Sequence, residues 1–158
     1  MTQINTGFGF SVKAPIRVGI VGTGFAAKLR AEMLQTDARA QLVTASGHTP
    51  DKTAAFCETF GAEAAVSWRK LVERDDLDLV IVCTVNRDHG AIVLAALEND
   101  KHVVVEYPLS LDVSEGERAI ELAAQKQKLL HIEHIELLGG LHQAIKTSLP
   151  LIGKVFYT

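Results

Sequence analysis

Six residues that follow the first apolar run of the sequence have the spacing of a phosphate-binding turn. They are Gly22, Thr23, Gly24, Phe25, Ala26 and Ala27. In a G-x-G-x-x-A pattern the first glycine makes a tight turn, the second lets a pyrophosphate approach the backbone, and the third small residue packs a helix on a strand. The N-terminus of that helix then attracts the phosphates. A glycine turn between a strand and a helix can also be purely structural, but here it opens an alternating β/α chain, which favours dinucleotide binding.

The next candidate loop is Ser46-Gly47-His48-Thr49, after the second predicted strand. Many NAD-binding domains have Asp or Glu at this place, where the carboxylate binds the ribose hydroxyls. This loop contains no acid, and a missing acid removes a charge that would repel the 2′-phosphate of NADP(H). We therefore expect NADP(H) as cofactor, with NAD(H) as a second possibility. The alternative is that Ser46, His48 and Thr49 only form the turn and cap the next helix.

Further polar residues with catalytic or binding chemistry follow the later strands of the chain. The candidates are Thr84, Asn86 and His89, then Glu106 and Tyr107, then Glu133, His134 and Glu136. Each of them could instead be a hydrogen-bonded or capping residue at a strand end. His131 and His134 form a His-x-x-His pair, but side chains alternate between the faces of a strand, so the two point apart and no metal site is predicted.

The elements that position these residues alternate between strands and helices. The predicted strands are Ile16–Val21, Gln41–Ser46, Ala64–Val66, Leu77–Thr84, His102–Glu106 and Leu129–His134. This alternation predicts an α/β fold, a Rossmann-like doubly wound parallel sheet with helices on both faces. The carboxyl ends of parallel strands meet at one edge of the sheet, so that edge collects all the candidate loops.

The helix boundaries follow from capping and breaking residues. Helices are predicted from Thr49-Pro50 to Phe60, from Ser67 to Glu73, and from the end of the loop 85–89 to Asn99. A capping box at Ser114 starts a helix that runs to Lys126. A last helix is predicted from Ile135 to Leu149, with an interruption at Gly139-Gly140 and an end at Pro150. Residues 1–15 are predicted to be a loose tail, residues 16–152 the dinucleotide-binding domain, and residues 153–158 the first strand of a further domain.

Composition excludes several classes of protein. The chain has 158 residues, 47% of them apolar and 22% charged, with a net charge of -3. Without a basic block, nucleic acid is not an expected partner. No apolar run is long enough for a membrane span and no signal sequence is recognised. Cys57 and Cys83 lie in a helical and a strand pattern, which is typical of reduced thiols, and we expect a cytoplasmic protein.

The motif Glu106-Tyr107-Pro108 gives the chain a resemblance to a known family. Together with the glycine turn and Thr84, Asn86 and His89, it resembles the glucose–fructose oxidoreductase/inositol dehydrogenase (Gfo/Idh/MocA) family. Sugar dehydrogenases of that family have Glu-Lys-Pro, in which the Lys assists removal of a proton from a sugar hydroxyl. Tyr107 replaces that Lys. The segments 102–111 and 122–138, with HVVVEYPLSL and EHIELL, resemble the biliverdin reductase branch.

The resemblance implies hydride transfer from NAD(P)H to the central methine carbon of biliverdin, a tetrapyrrole, with bilirubin as product. It implies catalytic roles for Tyr107, Glu106, Glu133 and Glu136, with Glu106 and His134 also near the cofactor. It further implies a second domain with an open antiparallel sheet, which forms the other wall of the substrate site and a contact between copies of the protein. The alternatives are a sugar or polyol dehydrogenase of the same family and a non-enzymatic module that senses dinucleotides.

Overall fold

A six-stranded parallel sheet organises the computed structural model, which describes residues 3–5 and 11–154. The strands of this sheet are β3 (Ile16–Val21), β4 (Ala40–Ser46), β5 (Glu63–Ala64), β6 (Leu79–Val82), β7 (His102–Glu106) and β8 (Leu130–Glu133). The helices are α1 (Phe25–Thr36), α2 (Pro50–Phe60), α3 (Trp68–Val72), α4 (His89–Glu98), α5 (Val113–Gln125) and α6 (Gly140–Ile152), with 3₁₀ turns at Asn86–Asp88 and Ile135–Leu138. The Rossmann-like fold predicted from the sequence is confirmed.

The strand order is β5-β4-β3-β6-β7-β8, so the chain moves outward from β3 first on one side and then on the other. β3 pairs in parallel with β4 and with β6. Its residues Val18 and Ile20 are fully buried, as expected of a central strand covered on both faces. The order reverses beside β3, and this switch point is where open α/β sheets form a ligand crevice.

Two apolar clusters cover the two faces of the sheet. On one face, Ala27 and Ala31 of α1 and Phe56 of α2 pack against β3, β4 and β6. On the other face, α3, α4 and α5 pack against β6 and β7, with Ile92 and Leu97 fully buried. Burial of one such aliphatic side chain contributes roughly 1.5–3 kcal/mol. The small residues of α1 allow that helix to lie close to β3 and bring its N-terminus to the switch point.

Several boundaries differ from the sequence-based expectation. The strand predicted at Leu77–Thr84 covers Leu79–Val82, and the one predicted at Ala64–Val66 covers Glu63–Ala64. The N-cap of α5 is Asp112, whose carboxylate accepts from the backbone N–H groups of Ser114 and Glu115 at 2.8 and 3.2 Å, so the capping box predicted at Ser114 begins two residues too late. Pro150 does not end α6, which continues to Ile152. A proline removes only its own N–H donor, and near a C-terminus this loss interrupts little of the helix. His89, predicted in a loop, is the first residue of α4.

The predictions for the two ends of the chain have different outcomes. Within residues 1–15, expected to be a loose tail, β1 (Gln3–Asn5) and β2 (Ser11–Lys13) pair as an antiparallel ribbon. The strand predicted at 154–158 lies almost wholly outside the described residues, so the boundary at residue 152 stays a prediction. Within residues 3–5 and 11–154, no helix has the length and apolarity needed to cross a bilayer.

Candidate functional site

The glycine turn joins β3 to α1 at the switch point. Gly22 has φ +123°, and a Cβ at this position would overlap the backbone carbonyl of Cys83. Its N–H donates to the carbonyl of Ser46 at 2.7 Å. Only glycine fits this conformation and this spacing between β4 and β6.

The start of α1 is open to a ligand. Gly24 is the N-cap, and a Cβ built on it would meet no atom within 4 Å. The first N–H groups of α1 have no side-chain cap, which leaves donors and the positive end of the helix dipole directed at that open space. Ala27 is fully buried against the sheet, Ala26 is half-buried, and Phe25 is 79% exposed. The turn therefore has the shape and the donors that a pyrophosphate requires.

The loop after β4 forms the next wall of the crevice. Ser46 is buried, and Gly47 lies so close to its neighbours that a Cβ would come within 2.8 Å of Thr53 Oγ1 and 2.9 Å of Thr23 Cγ2. His48 is exposed, with Nε2 3.3 Å from Asp88 Oδ2. His48 thus reaches across the crevice from the β4 loop to the turn after β6.

Two adjoining cavities of about 220 and 340 Å³ share Gly47, His48 and Thr84 in their walls. The first also contacts Trp68, and the second contacts the glycine turn and Lys52. Lys52, in the first turn of α2, was missed by the sequence reasoning. The signal was present, because a cation three or four residues after a Rossmann loop without an acid can bind a phosphate.

The residues after β6 divide into two groups. Thr84 lies in the crevice with Oγ1 3.4 Å from His48 Nε2, and Asn86 is exposed at the start of a 3₁₀ turn. His89 is fully buried, with Nδ1 2.7 Å from the carbonyl oxygen of Pro108 and Nε2 3.2 Å from that of Thr84. These contacts leave no ring nitrogen facing the crevice, so the geometry favours a structural role for His89, which ties the loops after β6 and β7 together.

An ion cluster occupies the other end of the carboxyl edge. Arg30 of α1 places Nη2 2.8 Å from Glu106 Oε1 and 3.1 Å from Glu133 Oε2. Burial lowers the pKa of the Arg30 guanidinium, but the hydrogen bond and the charge of Glu106, together with the charge of Glu133, outweigh it, and the pKa is raised. Arg30 was missed by the sequence reasoning, because a contact across 76 residues has no local signal.

A buried thiol lies beneath this cluster. Cys83 Sγ is 3.9 Å from Glu106 Oε1. Burial, with the negative charge of Glu106 as the next cause, raises the pKa of the Cys83 thiol to about 12. Cys83 is therefore uncharged at neutral pH, and it is a poor nucleophile.

Two aromatic rings stand at the rim of the same end. The rings of Tyr107 and His134 are nearly parallel, at an interplanar angle of 14° and a centroid distance of 6.2 Å. Tyr107 is 56% exposed. Glu136 is exposed in the 3₁₀ turn that follows His134. The structure thus brings the predicted residues together in two groups along one edge, a nucleotide-sized crevice around the glycine turn and a charged and aromatic group at β7 and β8.

The parallel sheet, the glycine turn at its switch point and the open N-terminus of α1 define a dinucleotide-binding Rossmann domain. The chain belongs to the Gfo/Idh/MocA oxidoreductase family with an NAD-binding Rossmann fold, whose family model matches residues 16–134. Nicotinamide dinucleotide is therefore the cofactor of this domain, and the open space at Gly24 leaves room for its pyrophosphate to approach the backbone.

Individual relatives include enzymes with different substrates. A crystal structure of biliverdin reductase from Synechocystis sp. PCC 6803, in complex with biliverdin and NADP+, is 53% identical with a TM-score of 0.87, over 90% of this chain and 45% of that chain. A dTDP-3,4-didehydro-2,6-dideoxy-alpha-D-glucose 3-reductase of Saccharopolyspora spinosa is 31% identical over 87% of this chain and 42% of the relative. Biliverdin reductase A of Mus musculus is 29% identical over 80% of this chain and 42% of the relative. The chain thus spans less than half the length of these relatives.

Proposed function

We propose that this chain is the cofactor-binding domain of an NADPH-dependent biliverdin reductase. The observation that carries the proposal is the position of Tyr107, which follows β7 where sugar dehydrogenases of the family have Lys, and which stands beside His134 as an exposed aromatic pair. The 53% identity to a biliverdin reductase supports the same substrate. When bound, NADPH supplies the hydride for the central methine carbon of biliverdin.

The domain's own residues bind and orient the cofactor in this proposal. The backbone of the glycine turn and the N-terminus of α1 bind the pyrophosphate. Lys52 and His48 border the cavity next to that turn and bind the 2′-phosphate of NADPH. No carboxylate of the β4 loop opposes that phosphate, although Asp88 approaches from the β6 side and pairs with His48. NADPH is therefore the preferred cofactor, and NADH binds more weakly.

Tyr107 and His134 form one wall of the tetrapyrrole site. A tetrapyrrole is wide, flat and conjugated, and parallel aromatic rings offer it a matching apolar surface. The hydroxyl of Tyr107 can donate a hydrogen bond to a lactam oxygen, and we assign Tyr107 an orienting role. Glu136 stands at the exposed rim beyond His134, where its carboxylate can accept from a pyrrole N–H. The contact between copies through a second domain stays a prediction.

Reduction of a keto-sugar is the second candidate function. The 31% identity to a dTDP-keto-sugar 3-reductase favours it. The two substrates differ in what they require of residue 107. Both reductions take up one proton with the hydride, on the ketone oxygen of the sugar or on a pyrrole nitrogen of biliverdin. A Lys or Tyr side chain at this position could deliver the proton to a ketone. Biliverdin in addition needs a flat surface that holds its conjugated system against the nicotinamide.

The deciding experiment mixes the full-length protein with NADPH and biliverdin and follows the bilirubin absorbance band over a range of pH. A matched assay offers a dTDP-linked 3-keto-sugar and follows NADPH consumption. Bilirubin formation with little sugar reduction supports the proposal, and the reverse result supports the second candidate. Tight NADPH binding with neither reaction would favour the dinucleotide-sensing module.

A further inference from the structure

Two carboxylates lie side by side at the ends of neighbouring strands. Glu106 ends β7 and Glu133 ends β8, and the parallel register pairs these two residues directly. Their side chains are only 20% and 13% exposed, so water screens them weakly. Like charges directly opposite each other on neighbouring strands repel, and burial increases that repulsion.

One guanidinium bridges the pair. Arg30 is the sixth residue of α1, the helix whose N-terminus opens at the glycine turn. Its Nη2 contacts both carboxylates, and its Nε is 3.2 Å from Glu106 Oε1. Hydrogen bonds between charged groups of this kind are the strong ones in proteins. The same helix therefore presents its N-terminus to the phosphates and a cation to the two strand ends.

We propose that Arg30 is a positioning residue that holds Glu106 and Glu133 together as a fixed, ionised pair beside Tyr107. In this arrangement neither carboxylate supplies the proton that the reduction consumes. The statement about the proton rests on the proposed function, because only a reduction consumes one. The charge state of the two carboxylates can be measured without any substrate.

The surroundings of the pair support this assignment. Among the residues that the structure describes, the titratable groups in contact with it are Arg30 from α1, Cys83 from the end of β6 and His131 of β8, whose Nε2 is 3.8 Å from Glu133 Oε2. Cys83 stays protonated and adds no charge, since its thiol pKa is raised to about 12. His131 is exposed and contacts Glu133 alone, whereas Arg30 contacts both carboxylates.

Removal of Arg30 changes the chemistry of the pair. Two carboxylates that share a site without a cation cannot both ionise easily, and one of them retains a proton at higher pH. An Arg30→Met variant would therefore contain a protonated glutamate where the wild type contains none. Arg30→Lys keeps one positive charge and should restore the ionised pair in part.

Infrared spectroscopy of the full-length protein with ¹³C-labelled glutamate tests the proposal directly. At neutral pH we expect a carboxylic acid band in Arg30→Met that is absent from the wild type, reduced in Arg30→Lys and absent again in Arg30→Met/Glu133→Gln. Arg39→Met is the matched control, because Arg39 is an exposed arginine that pairs with Asp37 away from the cluster. A spectrum of Arg30→Met identical to that of Arg39→Met would overturn the proposal.

The variant's folding is part of the test. If Arg30→Met does not fold but Arg30→Met/Glu133→Gln does, repulsion within the pair is the cause and the proposal is supported. Unfolding of both variants, with a folded Arg30→Lys that shows no change in its infrared spectrum, would assign Arg30 a packing role and overturn the proposal.

Kinetics then connect the pair to the reaction. In the wild type, the pH profile of biliverdin turnover should show no limb that Glu106→Gln or Glu133→Gln removes. Arg30→Met should gain such a limb, and Arg30→Lys should show it less strongly. If the protein does not reduce biliverdin at all, the proposed function fails while the infrared result still decides the charge state of the pair. Wild-type turnover that falls as the pH rises, with that alkaline limb lost in Glu106→Gln, would instead make that carboxylate the proton donor.

Discussion

Around the glycine turn, the carboxyl edge of the sheet is built mostly from backbone, whereas at the ends of β7 and β8 it is built from side chains. The first region uses the conformation of Gly22, the open N-cap at Gly24 and the carbonyl of Ser46. The second uses a guanidinium, two carboxylates and two aromatic rings. A phosphate-binding region of this kind serves any member of the family, while the side-chain region can change with the substrate.

The largest expected effect comes from two valine substitutions in the glycine turn. Gly22→Val forces a Cβ into the carbonyl of Cys83 at a positive φ and should cost about 3 kcal/mol or more of unfolding free energy. At Gly24 an added Cβ meets no protein atom within 4 Å, so the fold of Gly24→Val should remain stable while NADPH binding is abolished. Thermal unfolding and calorimetric titration measure the two effects. Equal NADPH affinity for Gly24→Val and the wild type would contradict a backbone-built phosphate site.

Substitution of Tyr107 should have the next largest effect. It should affect only the side-chain region at the ends of β7 and β8. In an orienting role, Tyr107→Phe should lower kcat for biliverdin by less than about a hundredfold, whereas loss of a general acid costs about 10²–10⁴-fold. Affinity for NADPH should not change. The measurement is kcat across pH in the full-length protein, with His134→Ala as the companion variant. A larger loss that also removes a limb of the pH profile would make Tyr107 the proton donor.

Cofactor preference should respond to a carboxylate in the loop after β4. His48→Asp places an acid in the wall of the cavity that Lys52 also borders. It should shift the ratio of NADPH to NADH affinity roughly tenfold toward NADH, about 1.4 kcal/mol. Gly47→Asp is a poorer test, since its Cβ would crowd Thr53 and Thr23. Lys52→Ala should shift the ratio in the same direction. Calorimetric titrations with both cofactors measure the ratio of affinities. An unchanged ratio in both variants would show that the 2′-phosphate does not bind in this cavity.

The smallest expected effect concerns Cys83 and the pH dependence of stability. The pKa of this thiol rises from 9.0 to about 12 in the folded chain, so the folded state holds a proton that the unfolded state releases above about pH 9. Stability should therefore fall as the pH rises from about 9 toward 12, by about 1 kcal/mol from this group at about pH 10. Cys83→Ala should lack that part of the loss in denaturant titrations. An identical loss in both proteins would show that other groups cause it.

The difference between the two regions also explains what the sequence could predict. The turn at Gly22 and Gly24 is visible because its function depends on residue spacing within one short segment. The bridge from Arg30 to Glu106 is invisible because it depends on how α1 crosses the sheet. The sequence reasoning considered an acid only in the loop after β4. Asp88 borders the cavity next to that loop, although it lies in the turn after β6.

Local errors have a similar origin in overlapping patterns. Asp112 and Ser114 each stand three residues before a glutamate, and the structure uses the earlier one as the N-cap. Pro150 matched a helix end, but α6 extends past it. The strands themselves were predicted because continuous apolar runs coincide with the buried part of the sheet. Their limits were predicted less well, since the strand expected at Leu77–Thr84 covers only Leu79–Val82.

Trp68 is the sole tryptophan of the chain, and it borders the cavity that also contacts Ser46 and His48. Its ring faces the guanidinium of Arg69 at 4.2 Å, which holds it in one environment. The tryptophan fluorescence of this chain therefore originates at the wall of the nucleotide crevice. Emission from this single indole can report, without any added label, when that crevice fills, and it offers an optical signal that is independent of events at Tyr107.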